Sequence, residues 1–382
     1  MDTNGFDNRR ATDARQLDRF FGSDDVLALW IAEPTLPPPD SVIDALRSRS
    51  EVPWFGYEVR PAALKESFWA WTGRRHGWDG AGVQTSFSPS GGTSLAVAIE
   101  LFTDPGQGVI LPPPVCREFK PSIRRSRREP VTNPLLVSDG RYELDLDHLA
   151  SVAADPANRF MILCNPHNPV GRTWTVDELA AVAEICADHD VVVFADEIHA
   201  DMAVFDGRFV PFGSVAGAST RWLAAAGPIK TFGLAGVSDT FVLAADDELT
   251  QAYRSHADRF HLVRSHVFGL AAAIAAYTDG DEWLDRFRSQ VERNFTVLDE
   301  GLPASIGLIH PEATYLAWID LRSLEMDVPE LTRWLVDDAR LALSPGHWFG
   351  REGAGFARLT TAVPTPVIED AVDRLVSAVA AR

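Results

Sequence analysis

The sequence predicts an α/β protein whose large domain contains a mainly parallel mixed sheet between layers of helices. Between about residues 66 and 280, apolar runs with the composition of strands alternate with amphipathic helical patterns. The runs are GVILPPP, RFMILCNP, VVVFADE, RWLAAAG and DTFVLAA. A strand that is apolar along its whole length is buried on both faces, as in a parallel sheet covered by helices. The final hundred residues mix helical patterns with a short β-rich stretch, which predicts a smaller α+β domain.

Both ends of the chain carry elements outside this sheet. The first 16 or so residues are polar and predict a flexible arm. VLALWIAEP then predicts a strand, and TLPPPD predicts a turn before a helix that begins near Ser41. Towards the other end, DEWLDRFRSQVERNFTVLDEGL predicts a long helix, ATYLAWIDL a strand, and PVIEDAVDRLVSAVA a closing helix with apolar residues at helical spacing.

The clearest strand–helix–strand unit spans residues 159–197. The strand FMILCN leads into the turn PHNPVG, and the helix VDELAAVAEICADHD precedes the strand VVVFAD. Thr175 and Glu178 have the spacing of a capping box at the start of that helix. A right-handed unit of this kind places Asn168 and Asp196 at the carboxyl ends of parallel strands, which is the edge where open α/β sheets bind ligands.

Composition narrows the class of protein. The 382 residues are 46% hydrophobic, and 35 Lys and Arg against 54 Asp and Glu leave a formal net charge of −19. This charge repels nucleic acid and anionic membranes. We find no apolar run of 18 residues and no signal-peptide pattern, so we expect a cytoplasmic protein. The three cysteines are too few for a disulfide framework or a zinc site, and no metal is expected.

One lysine stands in an apolar, glycine-rich run. The chain has only three lysines, and Lys230 lies in AAAGPIKTFGLAG. Burial of an ammonium group costs several kcal/mol unless it is paired or loses its proton. A lysine held neutral is a nucleophile that forms Schiff bases. From this run alone, a loop lysine that extends to water is an equal alternative.

Polar residues at the ends of two strands could hold a heteroaromatic cofactor. Asp196 closes an apolar strand, where its carboxylate would take up a proton unless a cation such as a pyridinium lies against it. His199 and Asn168 could bind a phenolic oxygen on such a ring. Taken singly, Asp196 could cap a turn, His199 could be a core histidine, and Asn168 could be a turn residue.

A second glycine-rich turn opens an apolar helix in SPSGGTSLAVAIELF. Backbone N–H groups between Ser90 and Ser94, with the hydroxyls of Thr93 and Ser94, would form a phosphate site at the amino end of that helix. Many helices begin with such a turn, so this signal is weak by itself.

Three motifs, NPHNPVGRTW, ADEIHAD and IKTFGLAG, occur in this order. Further stretches are LWIAEP, FGYEV, WTGRRHGW, NPLLVSDGRYELD, ATYLAWIDL and GAGFARLTTAVP. Over about residues 25–380 the chain resembles the fold-type I pyridoxal-phosphate enzymes of the class I/II aminotransferase family. The match is closest to the cystathionine β-lyase-like (MalY/PatB) branch. The resemblance implies the PLP-dependent transferase fold and pyridoxal 5′-phosphate as cofactor.

The resemblance also implies a role for each site residue. The residues expected to contact the cofactor are Lys230 as the Schiff-base lysine, Asp196 at the pyridine nitrogen, Asn168 and His199 at the ring hydroxyl, Gly91, Gly92 and Thr93 at the phosphate, Cys116 near the ring, and Tyr57 at the phosphate of the neighbouring subunit. The residues expected to take part in catalysis are Lys230, Tyr57 and Cys116. The residues expected to bind the substrate are Arg358, at its carboxylate, with Glu33 and Thr35.

The chain departs from the branch pattern at several of these positions. The branch has Pro-Val-Tyr where this chain has Pro114-Val115-Cys116. A cysteine cannot stack on a ring, although as a thiolate it could attack electrophiles or help proton transfer. The branch's Ala-Asp-Met-Asp segment is Ala-Glu-Pro-Thr at 32–35, and hydroxyl residues near the lysine are replaced by Ala226 and Ile229. We therefore expect phosphate binding to persist and substrate handling to differ.

The resemblance implies a homodimer with shared active sites and three segments. These are an arm with part of the small domain (1–48), the large cofactor-binding domain (49–285) and the C-terminal small domain (286–382). The expected activity is carbon–sulfur β-elimination of an S-substituted L-cysteine. The alternatives are transamination, and decarboxylation or oxygen-dependent oxidative deamination of a cysteine conjugate in natural-product biosynthesis. A further alternative is a non-catalytic protein that binds a transcription regulator.

Overall fold

The largest sheet of the computed structural model, which describes residues 9–138, 140–262 and 264–382, has seven strands. In spatial order they are β2 (Gln84–Ser88), β10 (Thr240–Ala244), β9 (Trp222–Ala226), β8 (Val192–Asp196), β7 (Asn158–Cys164), β3 (Gly108–Leu111) and β4 (Glu129–Thr132). Neighbours from β9 to β4 are parallel, whereas β10 is antiparallel to both β9 and β2. The predicted mainly parallel mixed sheet is confirmed.

Helices lie on both faces of this sheet and also pack in the C-terminal part of the chain. In the described residues they are α1 (Ala14–Phe21), α2 (Asp40–Glu51), α3 (Ala62–His76), α4 (Gly91–Phe102), α5 (Phe119–Arg125), α6 (Leu146–Ala153), α7 (Val176–Asp188), α8 (Phe212–Val215), α9 (Asp247–Asp258), α10 (Val267–Asp279), α11 (Asp281–Gly301), α12 (Val328–Asp337) and α13 (Thr365–Ala380). Among them, none combines the length and the apolar character that a membrane crossing requires.

The apolar strands are buried on both faces because successive side chains point to opposite sides of a strand. On β7, Phe160 and Ile162 pack in the same cluster as Leu95 of α4. Met161 and Leu163, the alternating residues, pack in the cluster on the other face, which extends into the C-terminal part of the chain. This double burial explains why the strand sequences are continuously apolar.

The C-terminal part contains a second, antiparallel sheet. Its order is β11 (Gly307–Leu308), β12 (Leu316–Asp320), β15 (Phe356–Thr360) and β14 (Ser344–Pro345). A separate hairpin consists of β5 (Leu136–Ser138) and β6 (Arg141–Glu143). Helix α11 runs through residue 285, the predicted start of the small domain, so the chain does not break there. The predicted domain limits stay a prediction.

The amino-terminal segment joins the C-terminal part. Strand β1 (Leu27–Ala28) pairs in parallel with β13 (Leu341–Ala342). The structure thus has two residues of strand where VLALWIAEP predicted a longer one. Beyond Ala28, the Leu29 N–H still donates to the Ala342 carbonyl, whereas the carbonyls of Trp30 and Ala32 accept side-chain hydrogen bonds. Residues 1–8 of the predicted arm lie outside the described residues, and α1 begins within the predicted arm.

A buried arginine joins the large sheet domain to the C-terminal part. The predicted capping box of α7 is present, with both Thr175–Glu178 hydrogen bonds. Arg172, whose side chain is 3% exposed, donates to the Glu178 carboxylate at 3.0 Å and to Glu312, which lies between β11 and β12, at 3.0 Å. The backbone N–H of Thr173 donates to the same Glu312 oxygen. We call this set of contacts the Arg172 junction.

Candidate active site

Three polar residues lie where neighbouring parallel strands end. Asp196 is the last residue of β8, and its register partners are Cys164 at the end of β7 and Ala225 near the end of β9. Asn168 follows β7 and Lys230 follows β9 in the turns beyond those strands. Because parallel strands end at the same edge, the predicted clustering of these side chains follows from the topology.

Lys230 is held by the amino-terminal segment. The residue is half-buried, and its Nζ donates to the carbonyl oxygen of Ala32 at 2.7 Å. Burial lowers the pKa of Lys230, an effect that the nearby Glu33 carboxylate partly offsets. The amine of Lys230 therefore loses its proton more readily here than in water. A nucleophile or general base requires this neutral form.

Burial shifts the pKa values of Asp196 and His199 in opposite directions. Asp196 is 9% exposed, and burial raises its pKa to about 6. His199 is buried, and burial together with the positive charges of Lys230 and Arg358 lowers its pKa, so the imidazole is neutral. In the described residues its Nδ1 has no hydrogen-bond partner, and its ring lies edge-on against Tyr315 at 5.6 Å between centroids.

Arg358 of β15 reaches from the small sheet to the loop after β7. Its Nη1 donates to Asn168 Oδ1 at 2.9 Å, and its Nη2 donates to the Trp30 carbonyl at 2.8 Å. The guanidinium lies over the ring of Phe349 at 4.8 Å. Burial lowers the pKa of Arg358 to about 10, which leaves it charged at neutral pH. A buried, charged fork suits a carboxylate ligand.

The amino end of α4 lies beside the end of β8. Ser90 is the N-cap, and its Oγ accepts a hydrogen bond from the Thr93 N–H at 3.1 Å. Gly91 lies close to this edge, because a Cβ added to it would be 3.6 Å from the side chain of Ile198. The amino terminus of this twelve-residue helix can bind an anion through the backbone amides of Gly91 and Gly92, whereas the N–H of Thr93 is engaged by Ser90.

Cys116 lies in the loop after β3 and close to the cluster. Burial raises the pKa of its thiol, and the negative charge of Asp196 adds to that effect. The protonated thiol is therefore the favoured form. The sequence left open a reactive thiolate at this position, and the surroundings of Cys116 do not support one.

Glu33 and Thr35 lie on the segment that holds Lys230. Glu33 is half-buried and near enough to influence the pKa of the Lys230 amine. Thr35 is exposed, and both its N–H and its hydroxyl donate to the carbonyl of Ala362. Glu33 thus lies beside the cluster, whereas Thr35 is hydrogen-bonded to the C-terminal part of the chain.

Tyr57 does not join the cluster within one chain. It is 86% exposed, and the Arg264 guanidinium lies 5.3 Å from its ring centre. It lines a surface cavity with Arg60, Arg254 and His266 that includes none of the other predicted site residues. The contact of Tyr57 with the phosphate of a neighbouring subunit stays a prediction.

Several groups that position these residues were not predicted from the sequence. Tyr315 donates through its hydroxyl to the Ala32 carbonyl at 3.3 Å, and thus shares the acceptor of Lys230. Tyr315 lies in ATYLAWIDL, a stretch that predicts a strand but indicates no role for its tyrosine. Trp30 and Ala32 act through backbone carbonyls, which no pattern of side chains reveals.

Comparison with known proteins extends over nearly the whole chain. The aminotransferase class I and II family matches residues 24–375. Cystathionine β-lyase PatB of Bacillus subtilis (strain 168) is 31% identical over 362 residues, which cover 94% of this chain and 94% of that protein. A PLP-bound protein from Clostridium difficile 630 superimposes with a TM-score of 0.91 at 30% identity and covers 96% of this chain and 95% of its own.

A second solved structure is cystalysin from Treponema denticola, which contains pyridoxal 5′-phosphate. It superimposes with a TM-score of 0.89 at 27% identity and covers 94% of this chain and 92% of its own. The resemblance stated from the motifs is confirmed by these matches. The chain belongs to the aminotransferase class I and II family and has its fold type I architecture.

Proposed function

We propose that this protein is a pyridoxal 5′-phosphate-dependent carbon–sulfur β-lyase that cleaves an S-substituted L-cysteine to a thiol, pyruvate and ammonia. The observation that carries the proposal is the placement of Lys230, Asp196 and Arg358 around one edge of the sheet. The proposal is also supported by a relative, PatB, which is named a cystathionine β-lyase and is 31% identical to this chain.

The residues at this edge fit pyridoxal 5′-phosphate. A buried carboxylate with a raised pKa, Asp196, matches a cationic ring nitrogen, and the unpartnered buried Nδ1 of His199 offers a site for a ring substituent. The amino end of α4 would hold the phosphate. Asn168 would share the ring hydroxyl with His199. When bound, this cofactor supplies an electron sink that acidifies the α-carbon of an amino acid attached to it.

Side chains of the protein would bind the substrate and transfer its proton. Arg358 would bind the substrate carboxylate through its fork and so orient the α-carbon. Lys230, with its lowered pKa, would take the α-proton on Nζ. The C–S bond breaks, and the sulfur leaves as a thiol after taking up a proton. Water then hydrolyses the three-carbon remainder to pyruvate and ammonia.

A product assay tests this function. The cofactor-loaded protein is incubated in air with S-benzyl-L-cysteine, while thiol, pyruvate, carbon dioxide and dissolved oxygen are measured. We expect thiol and pyruvate in equal amounts with no oxygen uptake. A requirement for a 2-oxo acid acceptor would instead show transamination, and oxygen consumption with carbon dioxide release would show oxidative decarboxylation. Either result contradicts the lyase proposal.

Cofactor affinity should depend on pH through Asp196. Its pKa of about 6 in the cofactor-free protein lies above the ordinary value of 3.8. Only the ionised carboxylate pairs with a cationic ring nitrogen, so affinity is full above pH 6 and falls up to about tenfold per unit below it. Equilibrium dialysis of the cofactor between pH 5 and 8 measures this.

The variant Asp196→Asn serves as its control. The cofactor phosphate also titrates near pH 6. In the variant, the phosphate is the one remaining source of pH dependence in cofactor affinity among these two groups. We expect weaker binding at pH 8 and a smaller pH dependence in Asp196→Asn than in the wild type. Equal slopes for the two proteins would exclude Asp196 as the titrating group.

We further propose that the active protein is a homodimer in which Tyr57 reaches the partner's cofactor. The support is an apolar segment left exposed in the single chain, with Trp54 51%, Phe55 59% and Val59 90% exposed next to Tyr57. Contiguous exposed apolar residues of this kind mark interaction surfaces.

The substitution Val59→Asp should weaken the dimer by about 100-fold, since a buried unpaired charge costs several kcal/mol. Sedimentation equilibrium measures the dissociation constant. Val376→Asp is the matched control, because Val376 is also exposed, at 40%, but lies on α13 outside the segment. A monomeric wild type, or equal effects of both substitutions, would contradict this assignment.

A further inference from the structure

A cavity of about 250 Å³ adjoins the catalytic cluster. Cys116 belongs to its lining, and so does Phe349, the ring on which Arg358 lies. Cys116 also lies near enough to Asp196, Arg358 and Lys230 for their charges to affect its pKa. Cys116 therefore borders both the cavity and the catalytic cluster. We call this space the distal cavity.

Part of the lining of the distal cavity is apolar. Val115 and Leu111 contribute aliphatic surface, and Phe349 and Trp348 contribute aromatic rings. An apolar cavity of about 150 Å³ holds a benzene molecule, so the distal cavity has room for a substituted aromatic ring. Such walls favour a flat apolar group over a flexible polar one.

Cations line the same cavity. Arg117, Lys120 and Arg351 contribute to its lining, against a single carboxylate from Glu352. Arg351 is paired with Glu352 at 3.0 Å, and Arg117 is paired with Glu118 at 3.2 Å. Within the described residues, no carboxylate lies at ion-pair distance from Lys120.

Lys120 is therefore the cation available to a ligand. It is half-buried at the start of α5, in a chain with a formal net charge of −19 and only three lysines. A positive group that is kept unpaired beside a cavity in an acidic protein raises the local concentration of anions. The arginines beside it add to the positive potential, although each has a carboxylate of its own.

From this arrangement, and resting on the lyase function proposed above, we propose that the substrates are S-substituted L-cysteines whose substituent is an aromatic ring bearing a carboxylate. The ring occupies the distal cavity next to Cys116, and the distal carboxylate binds Lys120. Arg358 binds the other carboxylate, that of the amino acid, so the two anionic groups of the substrate have separate cations.

The test compares two substrates of the same shape, S-(para-carboxybenzyl)-L-cysteine and its para-carbamoyl counterpart. With wild-type holoenzyme we expect kcat/KM for the carboxylate to exceed that for the amide by about tenfold, as for a charge-assisted hydrogen bond. Lys120→Gln should remove this preference by lowering only the carboxylate value. Lys65→Gln is the matched control, because Lys65 is an exposed lysine on α3.

A binding measurement separates this proposal from the lyase function. In analogues of both compounds, a CH₂ group replaces the sulfur, so that no C–S bond can break. Equilibrium dialysis with the holoenzyme should show about tenfold tighter binding of the carboxylate analogue, lost in Lys120→Gln and kept in Lys65→Gln. Preferential binding without pyruvate formation would refute the lyase and retain the distal site. Equal binding of the two analogues, or an equal loss for both in Lys120→Gln, would overturn the distal site.

Discussion

Replacement of Lys230 by alanine should reduce pyruvate formation by about 10²- to 10⁴-fold, the contribution typical of general acid–base catalysis by a positioned side chain. The variant loses the amine that donates to the Ala32 carbonyl at the strand edge, and with it the group proposed to take the α-proton. The rate is measured as pyruvate released from S-benzyl-L-cysteine by the cofactor-loaded variant.

A chemical control accompanies this rate. Borohydride reduction followed by mass spectrometry should attach the cofactor covalently to the wild type and to Lys65→Ala, but not to Lys230→Ala. Lys65 is exposed on α3 and lies outside the cluster. Wild-type activity in Lys230→Ala, with a cofactor still attached at another lysine, would remove Lys230 from the mechanism.

Replacement of Arg358 by lysine should lower kcat/KM by about 100-fold or more, since two hydrogen bonds to a charged group contribute about 1.5–3 kcal/mol each. An ammonium group cannot reproduce the fork that reaches Asn168 and the Trp30 carbonyl together. Because the lost interaction orients the substrate carboxylate, we expect KM to rise as well as kcat to fall. Steady-state kinetics at saturating cofactor separates the two constants.

Stability must be checked in the same variant, because Arg358 is buried and its removal leaves acceptors unpaired. Thermal unfolding of the holoenzyme gives that control. Arg322→Lys is the matched substitution, since Arg322 pairs with Asp320 on an exposed face of the same domain. If Arg358→Lys kept KM and lowered only the unfolding temperature, its role would be structural.

The fold could be predicted because its strands carry a strong local signal. Residues 160–163 alternate between two apolar clusters, so the whole strand is apolar and stands out in the sequence. The position of the site at one edge of the sheet could be predicted from the same apolar strands. Asp196 is the polar end of a buried strand, Asn168 and Lys230 lie in the turns just beyond two others, and parallel topology brings such positions together.

Other features of the site depend on contacts between distant parts of the chain. The carbonyl of Ala32 that holds Lys230 is 198 residues away in sequence, and the Trp30 carbonyl is 328 residues from Arg358. Any residue type can supply a carbonyl, so composition gives no sign of these contacts. The protonation of Cys116 was equally hidden, because it depends on how deeply the surrounding chain buries the thiol.

The Arg172 junction has a consequence for motion. Its guanidinium is 3% exposed and neutralises carboxylates from both the large domain and the segment before β12. Pulling these carboxylates away from Arg172 would leave a buried cation without a partner, which costs about 3–5 kcal/mol. If the small domain swings to admit a bulky amino acid, the rotation axis should therefore pass through Arg172, and the widest displacement should occur on the side remote from it.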